Sequence, residues 1–278
     1  MRFIRFYFQA FFRQLHYYFK ARTKYDVHSP FVADFIENTL EDERWFYTFS
    51  TAEALRSKLL QDRTTVAIDD LGAGSMVFTS NTRSLRDLVR HTAASPALGR
   101  LLFRIVNWHK PATMLELGTS LGISAIYQAS AALDARMITI EGCAPLAQLA
   151  QRHLKEAGLE NVEVMTGAFQ QALPKALKAL GKLDFVYLDG DHRAESTLAY
   201  FEQCLPYAHE GSLFVIGDIH WSHDMESVWN ALRKHSQVSL SIDLYDLGLL
   251  FFRKAQKEKE DFTLIRAKRK PWRLGLFS

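Results

Sequence analysis

The chain has 278 residues and a mass of 31.9 kDa, enough for one large domain with a sizeable core. Hydrophobic residues make up 48% and charged residues 23%, and no uncharged apolar run reaches the ~20 residues of a membrane-spanning helix. This composition excludes an intrinsically disordered chain and a multi-span membrane protein. The two cysteines, Cys143 and Cys204, exclude a disulfide framework and a cysteine-rich zinc site. We therefore expect a globular protein of a reducing compartment, the cytoplasm.

Basic residues concentrate at the two ends of the chain, although the net charge is only +3. Residues 1–25 contain six basic residues and no acid, and residues 262–278 contain five basic residues and no acid. Because all 31 acidic residues lie between these ends, the middle of the chain has a net charge of −8. The ends and the body therefore carry opposite charge.

The N-terminal segment MRFIRFYFQAFFRQLHYYFK predicts an amphipathic helix. Its aromatic and aliphatic residues recur at helical spacing from Phe3 to Phe19, and most of the basic residues lie opposite. Arginines interrupt the apolar stretch and no small-residue cleavage site follows, which argues against a secretory signal. Two interpretations stay open: the stripe packs on the body or on a second copy in a homodimer, or residues 1–22 contact a membrane peripherally. Nucleic-acid binding is disfavoured, because basic and aromatic residues alone do not specify it.

Short apolar runs alternate with helical stretches in the second half of the chain. The runs lie at 114–117, 137–140, 162–165, 185–188 and 213–216, and the helical stretches at 121–133, 144–157, 169–180, 194–208 and 223–235. Strands that are apolar on both faces and joined by helices indicate a parallel, doubly wound sheet, and the final run VSLSIDLYDLGLLFFRK indicates a hairpin. We therefore predict an α/β fold with a Rossmann-like, seven-stranded sheet over 112–254, whose last strand is antiparallel, and a helical N-terminal extension.

The same patterns divide the chain into three parts. Residues 1–83 form the helical, aromatic and basic extension, 84–256 the α/β domain, and 257–278 a basic C-terminal tail. Within the extension, the stretch DDLGAGS at 69–75 predicts either a loop over a site or a plain surface turn.

Ligands of open α/β sheets bind in the loops that follow the strands. The first such loop reads LELGTSLGIS, in which Gly118 and Gly122 let the backbone approach a ligand closely, and the helix beginning near Leu121 offers free N–H groups to an anion. The second strand ends in ITIEG, and its Glu141 is placed to accept two hydrogen bonds from a ribose diol. Together these loops predict a nucleoside-containing ligand.

Four segments in order, LELGTSLGIS, ITIEG, VMTGAFQQALPKAL and LDFVYLDGDH, resemble the class I S-adenosylmethionine-dependent O-methyltransferases, especially their catechol O-methyltransferase-like branch. The resemblance covers roughly residues 95–254. The final hairpin separates this fold from the dinucleotide-binding dehydrogenases, whose Gly-x-Gly-x-x-Gly spacing the first loop also lacks. The resemblance implies S-adenosylmethionine as the cofactor.

The resemblance also implies a set of cofactor-binding residues. The resemblance implies that the methionine end of the cofactor is held by Glu116, Gly118 and Ser124. It implies that the ribose hydroxyls are held by Glu141 and that the adenine is lined by Ala168, Phe169 and Gln170. The rest of the implied set lies in the same loops and comprises Thr119, Ser120, Gly122, Gly142, Gly167 and Asp189.

The fourth and fifth loops decide the chemistry, because methyl transfer needs an aligned and deprotonated acceptor. In the catechol-type pattern an Asp after each of these strands coordinates a divalent cation such as Mg²⁺, and the matching residues here are Asp189 and Asp218. The chain departs from that pattern at Ile219, where the family has Asn, and at His192, where it has Lys. A histidine base without a metal is the alternative. The candidate catalytic residues are Asp191, His192 and His220.

We therefore expect an S-adenosylmethionine-dependent methyltransferase that acts on the hydroxyl of a small-molecule acceptor. Two alternatives on the same fold are an N-methyltransferase and a protein-modifying enzyme, because the loops, and not the fold, shape the acceptor pocket. A membrane-associated or oligomeric binding protein with a vestigial cofactor pocket is a third. The sequence does not identify the acceptor.

Overall fold

The computed structural model describes residues 2–68, 82–191, 193–254 and 258–271. The glycine-rich stretch at 69–75 and the candidate base His192 lie outside the described residues. Among the helices that are described, none is both long and apolar enough to cross a membrane.

The central element is a mixed sheet of eight strands. Its strands are β3 (Thr113–Leu117), β4 (Arg136–Glu141), β5 (Val162–Thr166), β6 (Phe185–Leu188), β7 (Leu213–Gly217), β8 (Leu240–Asp243), β9 (Leu247–Phe251) and β10 (Glu260–Thr263), in the order β10-β8-β9-β7-β6-β3-β4-β5. Strand β9 runs antiparallel to β7 and β8, and the other neighbours pair in parallel. A separate antiparallel pair is formed by β1 (Thr65–Ala67) and β2 (Thr82–Ser84).

The predicted fold class is confirmed. Residues 112–254 contribute seven strands, and the last of them, β9, is antiparallel as expected. The strand count of the whole sheet differs from the prediction, because β10 adds an eighth strand beside β8. The sequence of β10, EDFT, is short and mostly polar, so it carries no apolar alternation that would reveal it. Its place is decided by backbone pairing with the edge of the sheet.

Ten α-helices surround the two sheets in the described part of the chain. They are α1 (Arg2–Lys20), α2 (Pro30–Phe35), α3 (Tyr47–Leu59), α4 (Leu85–His91), α5 (Pro96–His109), α6 (Ile123–Ala131), α7 (Ala144–Glu156), α8 (Phe169–Leu180), α9 (Ala194–Cys204) and α10 (His223–Leu232). Serine side chains cap the N-termini of α4, α5 and α10 by accepting a backbone N–H.

The core lies in two layers, one on each face of the sheet. Successive strand residues alternate between the layers: Phe185 and Tyr187 of β6 join the layer with α2 to α7, whereas Val186 and Leu188 join the layer with α8 to α10. Because both faces are covered, the central strands β6 and β7 are buried along their whole length. The strand order reverses between β3 and β6, which places a ligand crevice at the carboxyl ends of these strands.

The two basic ends of the chain meet at one edge of the sheet. The hydroxyl of Tyr17 donates to the carbonyl of Leu264, and that of Tyr18 donates to the carbonyl of Arg269 at 2.9 Å. Beyond α1, the backbone N–H of Arg22 donates to the carbonyl of Thr263 at 2.7 Å. The C-terminal half of α1 is thus tied to the chain that follows β10.

Candidate functional site

The loop between β3 and α6 is tightly constrained at the carboxyl end of the sheet. Gly118 has a φ of +100°, and a Cβ atom on it would lie 2.7 Å from the carbonyl oxygen of Asp189. Gly122 has a φ of +81°, and a Cβ there would lie 3.3 Å from Ala150. Only glycine combines these conformations with such close approaches. The two glycines therefore let the backbone of the predicted first loop pack directly against the end of β6 and against α7.

Glu141, the last residue of β4, closes over this loop. Its carboxylate accepts the backbone N–H of Ser120 at 2.7 Å and that of Cys143 at 2.9 Å. Burial raises the pKa of Glu141, and hydrogen bonds from the backbone of Cys143, Ser120 and Gly142 oppose that rise without cancelling it. Each carboxylate oxygen has a second lone pair, so the group still has capacity for two hydroxyl donors. This geometry matches the predicted ribose contact.

Glu116 lies beneath the loop rather than in it. It is fully buried, and its carboxylate accepts from the amide of Gln128 and from the hydroxyl of Thr139, each at 2.6 Å. Thr119 is also buried and its hydroxyl lies 2.6 Å from that of Thr139. Burial raises the pKa of Glu116, against hydrogen bonds from Thr139, Ser124 and Gln128. These contacts place the side chains of Glu116 and Thr119 beneath the loop, and the cofactor contacts predicted for Glu116, Thr119 and Ser124 stay predictions.

The loop after β5 is joined to both neighbouring loops. The N–H of Gly167 donates to the carbonyl of Glu141 at 3.0 Å. Phe169 begins α8 after Ala168, and its ring fills the place where a Cβ on Gly190 would lie, at 2.6 Å. The side-chain amide of Gln170 donates to the hydroxyl of Tyr200 at 3.1 Å. The three residues predicted to line the adenine, 168–170, therefore lie beside the loop that follows β6.

Asp189 and Asp218 follow the neighbouring strands β6 and β7. A Cβ atom on Gly217 would lie 2.2 Å from Oδ1 of Asp189, so the absence of a side chain at Gly217 provides the space that this carboxylate occupies. Burial raises the pKa of Tyr187 well above its usual value, and the negative charges of Asp189 and Asp218 raise it further. The negative charges of Asp189 and Asp218 thus both raise the pKa of the same buried phenol, that of Tyr187 near the end of β6.

Asp191 does not have the free carboxylate that a general base requires. Arg193 binds it with two nitrogens, at 2.6 and 2.7 Å, and the hydroxyl of Tyr200 donates to it at 3.4 Å. Its backbone adopts a φ of +54°, which turns the chain between β6 and α9. The catalytic role predicted for Asp191 is not supported by these contacts, which assign it to shaping this turn.

His220 also differs from its predicted role. Its Nδ1 lies 3.0 Å from the carboxylate of Glu226, and its Nε2 lies 2.9 Å from that of Asp243. Burial alone would lower its pKa, but the hydrogen bonds and charges of Asp243 and Glu226 outweigh burial and raise it. Two facing carboxylates favour the imidazole that carries both protons. To act as a base His220 would have to give up one of these contacts, which fix the loop after β7.

Several residues of the site have no signal in the local sequence pattern. The local pattern does not distinguish Tyr187 from other strand residues, or Tyr200 and Gln128 from other helix residues. Asp246 lies in the predicted hairpin turn, and its carbonyl accepts the N–H of Asp218 at 2.8 Å. Reduced contact with water raises the pKa of Asp246, and the charge of Asp218 adds to that rise. In the sequence, the acid Glu116 within an apolar strand indicates that polar partners such as Gln128 must lie next to it.

A protein-held metal centre is not complete in the described part of the chain. No three His, Cys, Asp or Glu side chains there are grouped so that they could hold a metal ion. Ile219, at the position where the resemblance has an Asn ligand, is fully buried. Asp189 and Asp218 offer the hard oxygen donors that Mg²⁺ prefers, and Mg²⁺ is often bound by only one or two carboxylates together with water and substrate oxygens.

Known proteins are similar to the part of the chain that contains this site. Residues 115–219 match the model of a family described as a methyltransferase domain. A catechol O-methyltransferase from Niastella koreensis is 30% identical over 130 residues, covering 46% of this chain and 58% of that protein. The catechol O-methyltransferase of Bos taurus is 37% identical over 95 residues, covering 33% of this chain and 35% of that protein. The chain thus spans less than two thirds of the length of either relative.

A solved structure extends the likeness beyond the matched segment. The O-methyltransferase from Bacillus cereus in complex with SAH is 19% identical, with a TM-score of 0.54 over 80% of this chain and 97% of that chain. This similarity concerns the fold alone, a Rossmann-like α/β sheet with helices on both faces. Residues 115–219 are thus similar to a methyltransferase domain, and the relatives that match in this part of the chain include catechol O-methyltransferases.

Proposed function

We propose that the chain transfers a methyl group from S-adenosylmethionine to a hydroxyl of a small-molecule acceptor. The observation that carries the proposal is the position of Glu141, whose carboxylate closes over a loop that has no room for a side chain at Gly118. A carboxylate at that place, at the end of the second strand of the parallel sheet, is suited to a ribose diol. The similarity to O-methyltransferases supports the same assignment.

The electrostatics of the site support a cationic ligand. Carboxylates follow or end four strands, at Glu141, Asp189, Asp218 and Asp246, and the pKa values of Glu141 and Asp246 are raised mainly by burial. Such acids are stabilised in their charged form by a nearby positive charge. The sulfonium of S-adenosylmethionine provides one, so the residues present fit this cofactor.

When bound, the cofactor would supply a methyl group to the acceptor oxygen by in-line displacement, with S-adenosylhomocysteine as the leaving group. The chain orients the cofactor and the acceptor and surrounds them with a water-excluded, negatively charged pocket. Glu141 and the loop at Gly118 hold the nucleoside, and Phe169 borders it. Asp189 and Asp218 lie on the acceptor side, where they would hold a divalent cation that lowers the pKa of the acceptor hydroxyl. Since Asp191 and His220 are committed to other contacts, proton removal falls to these two carboxylates or to His192.

Calorimetry on the full chain tests the cofactor assignment. We expect S-adenosylmethionine to bind, and Glu141→Gln to weaken binding ~10–100-fold, because a hydrogen bond to a charged group contributes about 1.5–3 kcal/mol. Glu160→Gln is the matched control, because Glu160 is exposed and precedes β5 at the opposite end of the sheet. Equal affinity in the two variants would contradict the assignment.

Methyl transfer to catechol, used as a probe acceptor and measured by mass spectrometry of the product, tests the activity. If Asp189 and Asp218 hold a divalent cation, a chelator abolishes transfer and added Mg²⁺ restores it, while cofactor affinity stays unchanged. Transfer that is insensitive to the chelator would remove the metal from the proposal and leave O-methylation in place.

A further inference from the structure

Helix α1 presents an exposed apolar face that the rest of the described chain does not cover. Phe11, Leu15 and Phe19 are 59%, 37% and 70% exposed. They are four residues apart, so they lie on one side of the helix. Phe12 is 49% exposed, and its ring contacts that of Phe11 at 5.7 Å. An exposed cluster of large apolar side chains of this kind marks an interaction surface.

The helix is held so that this face cannot turn inward. On its other side Tyr17 and Ala21 are buried against Ile265, and Tyr17 also contacts the ring of Tyr245 at 5.1 Å. The hydroxyl of Tyr18 is hydrogen-bonded to Arg269. These contacts fix the rotation of α1 about its axis, and they leave Phe11, Leu15 and Phe19 pointing away from the body.

Charge distinguishes between the partners that could cover this face. Residues 1–25 contain six basic residues and no acid. Lys20 and Arg22 are exposed at the end of α1, and the exposed Arg269 lies next to it. A second copy docked through the same face would bring these cations against one another. An anionic lipid surface brings the opposite charge, at about 1 kcal/mol for each Lys or Arg near it.

The same helix borders the acceptor side of the proposed site. The guanidinium of Arg13 donates to the carbonyl of Trp221 at 3.2 Å, in the loop that follows Asp218. The ring of Tyr17 lies 6.2 Å from that of His220, which fixes the same loop. One side of α1 thus contacts the loop of the proposed site while the apolar side faces outward.

We propose that α1 lies in the headgroup region of an anionic lipid bilayer and holds the acceptor side of the site at that surface, so that the hydroxyl to be methylated belongs to an amphiphile dissolved in the membrane. The first part rests on the exposed face, its fixed orientation and its charge. The second part rests in addition on the proposed function. A helix of this type binds through its apolar face and its basic residues together, without spanning the bilayer.

Co-sedimentation with vesicles tests the surface. We expect the full chain to sediment with vesicles of phosphatidylglycerol and phosphatidylcholine, to bind phosphatidylcholine alone at least tenfold more weakly, and to be released by salt. The double variant Phe11→Ser/Phe19→Ser should lose at least tenfold in vesicle affinity, with unchanged melting temperature and cofactor affinity. Leu133→Ser is the matched control, because Leu133 is 66% exposed before β4, at the opposite end of the sheet.

Three results would overturn the lipid assignment: no sedimentation of the full chain, equal binding to neutral vesicles, or unchanged binding of the double variant. A dimer in light scattering that the double variant dissociates would make a second copy the occupant and would also overturn it. These readouts do not depend on methyl transfer, so their failure is distinguishable from failure of the proposed function.

The acceptor is tested with a long-chain alkyl catechol in the anionic vesicles and with free catechol. We expect the full chain to methylate the vesicle-borne probe faster at equal concentration, and the double variant to lose this preference while it methylates free catechol normally. Equal preference in the two proteins would overturn the amphiphile as acceptor. Methylation of neither probe, with vesicle binding intact, would count against the proposed function instead.

Discussion

The position and the pKa of a polar side chain in this protein depend mainly on its hydrogen-bond partners. Asp184, just before β6, is an example. Its carboxylate accepts the N–H groups of Ala112 and Thr113, each at 2.8 Å, and lies 2.8 Å from Nε2 of His209. Burial alone would raise its pKa, but hydrogen bonds from Thr113, His209 and Ala112 outweigh burial and lower the pKa to about 2. Asp184 therefore ties the start of β3 to the start of β6.

We predict that Asp184→Asn destabilises the protein by roughly 2 kcal/mol at pH 7, since each unit of pKa shift corresponds to about 1.4 kcal/mol. Because the native pKa is depressed, the stabilisation is complete above the unfolded-state pKa and is lost as pH falls toward 2. Urea unfolding at pH 7, 5 and 3 measures it. The difference between the two proteins should be constant from pH 7 to 5 and smaller at pH 3. A constant difference at all three values would contradict this assignment.

Two candidate catalytic residues, Asp191 and His220, are also held by neighbouring charged side chains. A motif identifies the residue type, but the free lone pair that a base needs depends on neighbours. Arg193 occupies the carboxylate of Asp191, and carboxylates occupy both nitrogens of His220. Glu141, by contrast, is the last residue of β4, the position at which the sequence motif predicts a ribose-binding acid.

At the scale of elements, a buried polar cluster joins β3, β4 and α6 beneath the cofactor loop. Glu116 of β3 accepts from Thr139 of β4 and from Gln128 of α6. The cluster fixes the angle at which α6 leaves the loop, because hydrogen bonds in a buried site have few alternative geometries.

We predict that Gln128→Ala destabilises the protein by about 2–4 kcal/mol, because it leaves a fully buried carboxyl without one of its donors. Gln151→Ala, on the exposed side of α7, is the control and should change stability by less than about 0.5 kcal/mol. Chemical denaturation of both variants provides the comparison. If the two variants unfold at the same denaturant concentration, the cluster does not stabilise the fold.

At the scale of the whole molecule, the N-terminal and C-terminal segments stabilise each other outside the matched domain. Deleting residues 1–22 removes the buried Tyr17 and Ala21 and the backbone pairing of Arg22 with Thr263. We expect a loss of about 2 kcal/mol, from the burial of one large side chain, and a melting temperature lower by about 5 °C. The affinity for S-adenosylmethionine should stay within twofold, because no residue of 1–22 lies in the cofactor loops.

Differential scanning calorimetry and titration of the truncated chain check both statements. Tyr17→Ala in the full chain is a milder variant with the same expected direction. A loss of cofactor affinity above tenfold in a folded truncated chain would place α1 in the cofactor site and contradict the arrangement described above.

The local pattern of the sequence was sufficient for the α/β class, the antiparallel strand β9 and the loop residues Gly118, Glu141 and Asp189. Each of these depends on short-range spacing: a short continuous apolar run indicates a strand covered on both faces, and ligand loops follow the strands. These features can be predicted from the sequence because the conformation of a strand or a turn depends mainly on its own few residues.

Only the tertiary structure decided what lies next to what across the chain. The pairing of β10 with β8, the position of Asp243 and Glu226 on either side of His220, and the contact of α1 with residues 264–269 all join distant segments. A hydrogen bond or a packed face depends on the distance in space between two groups, and local periodicity contains no information about which remote segment supplies the partner. For that reason the sequence indicated a nucleoside site at Glu141, whereas the structure decided that His220 is held by carboxylates and that the apolar face of α1 points outward.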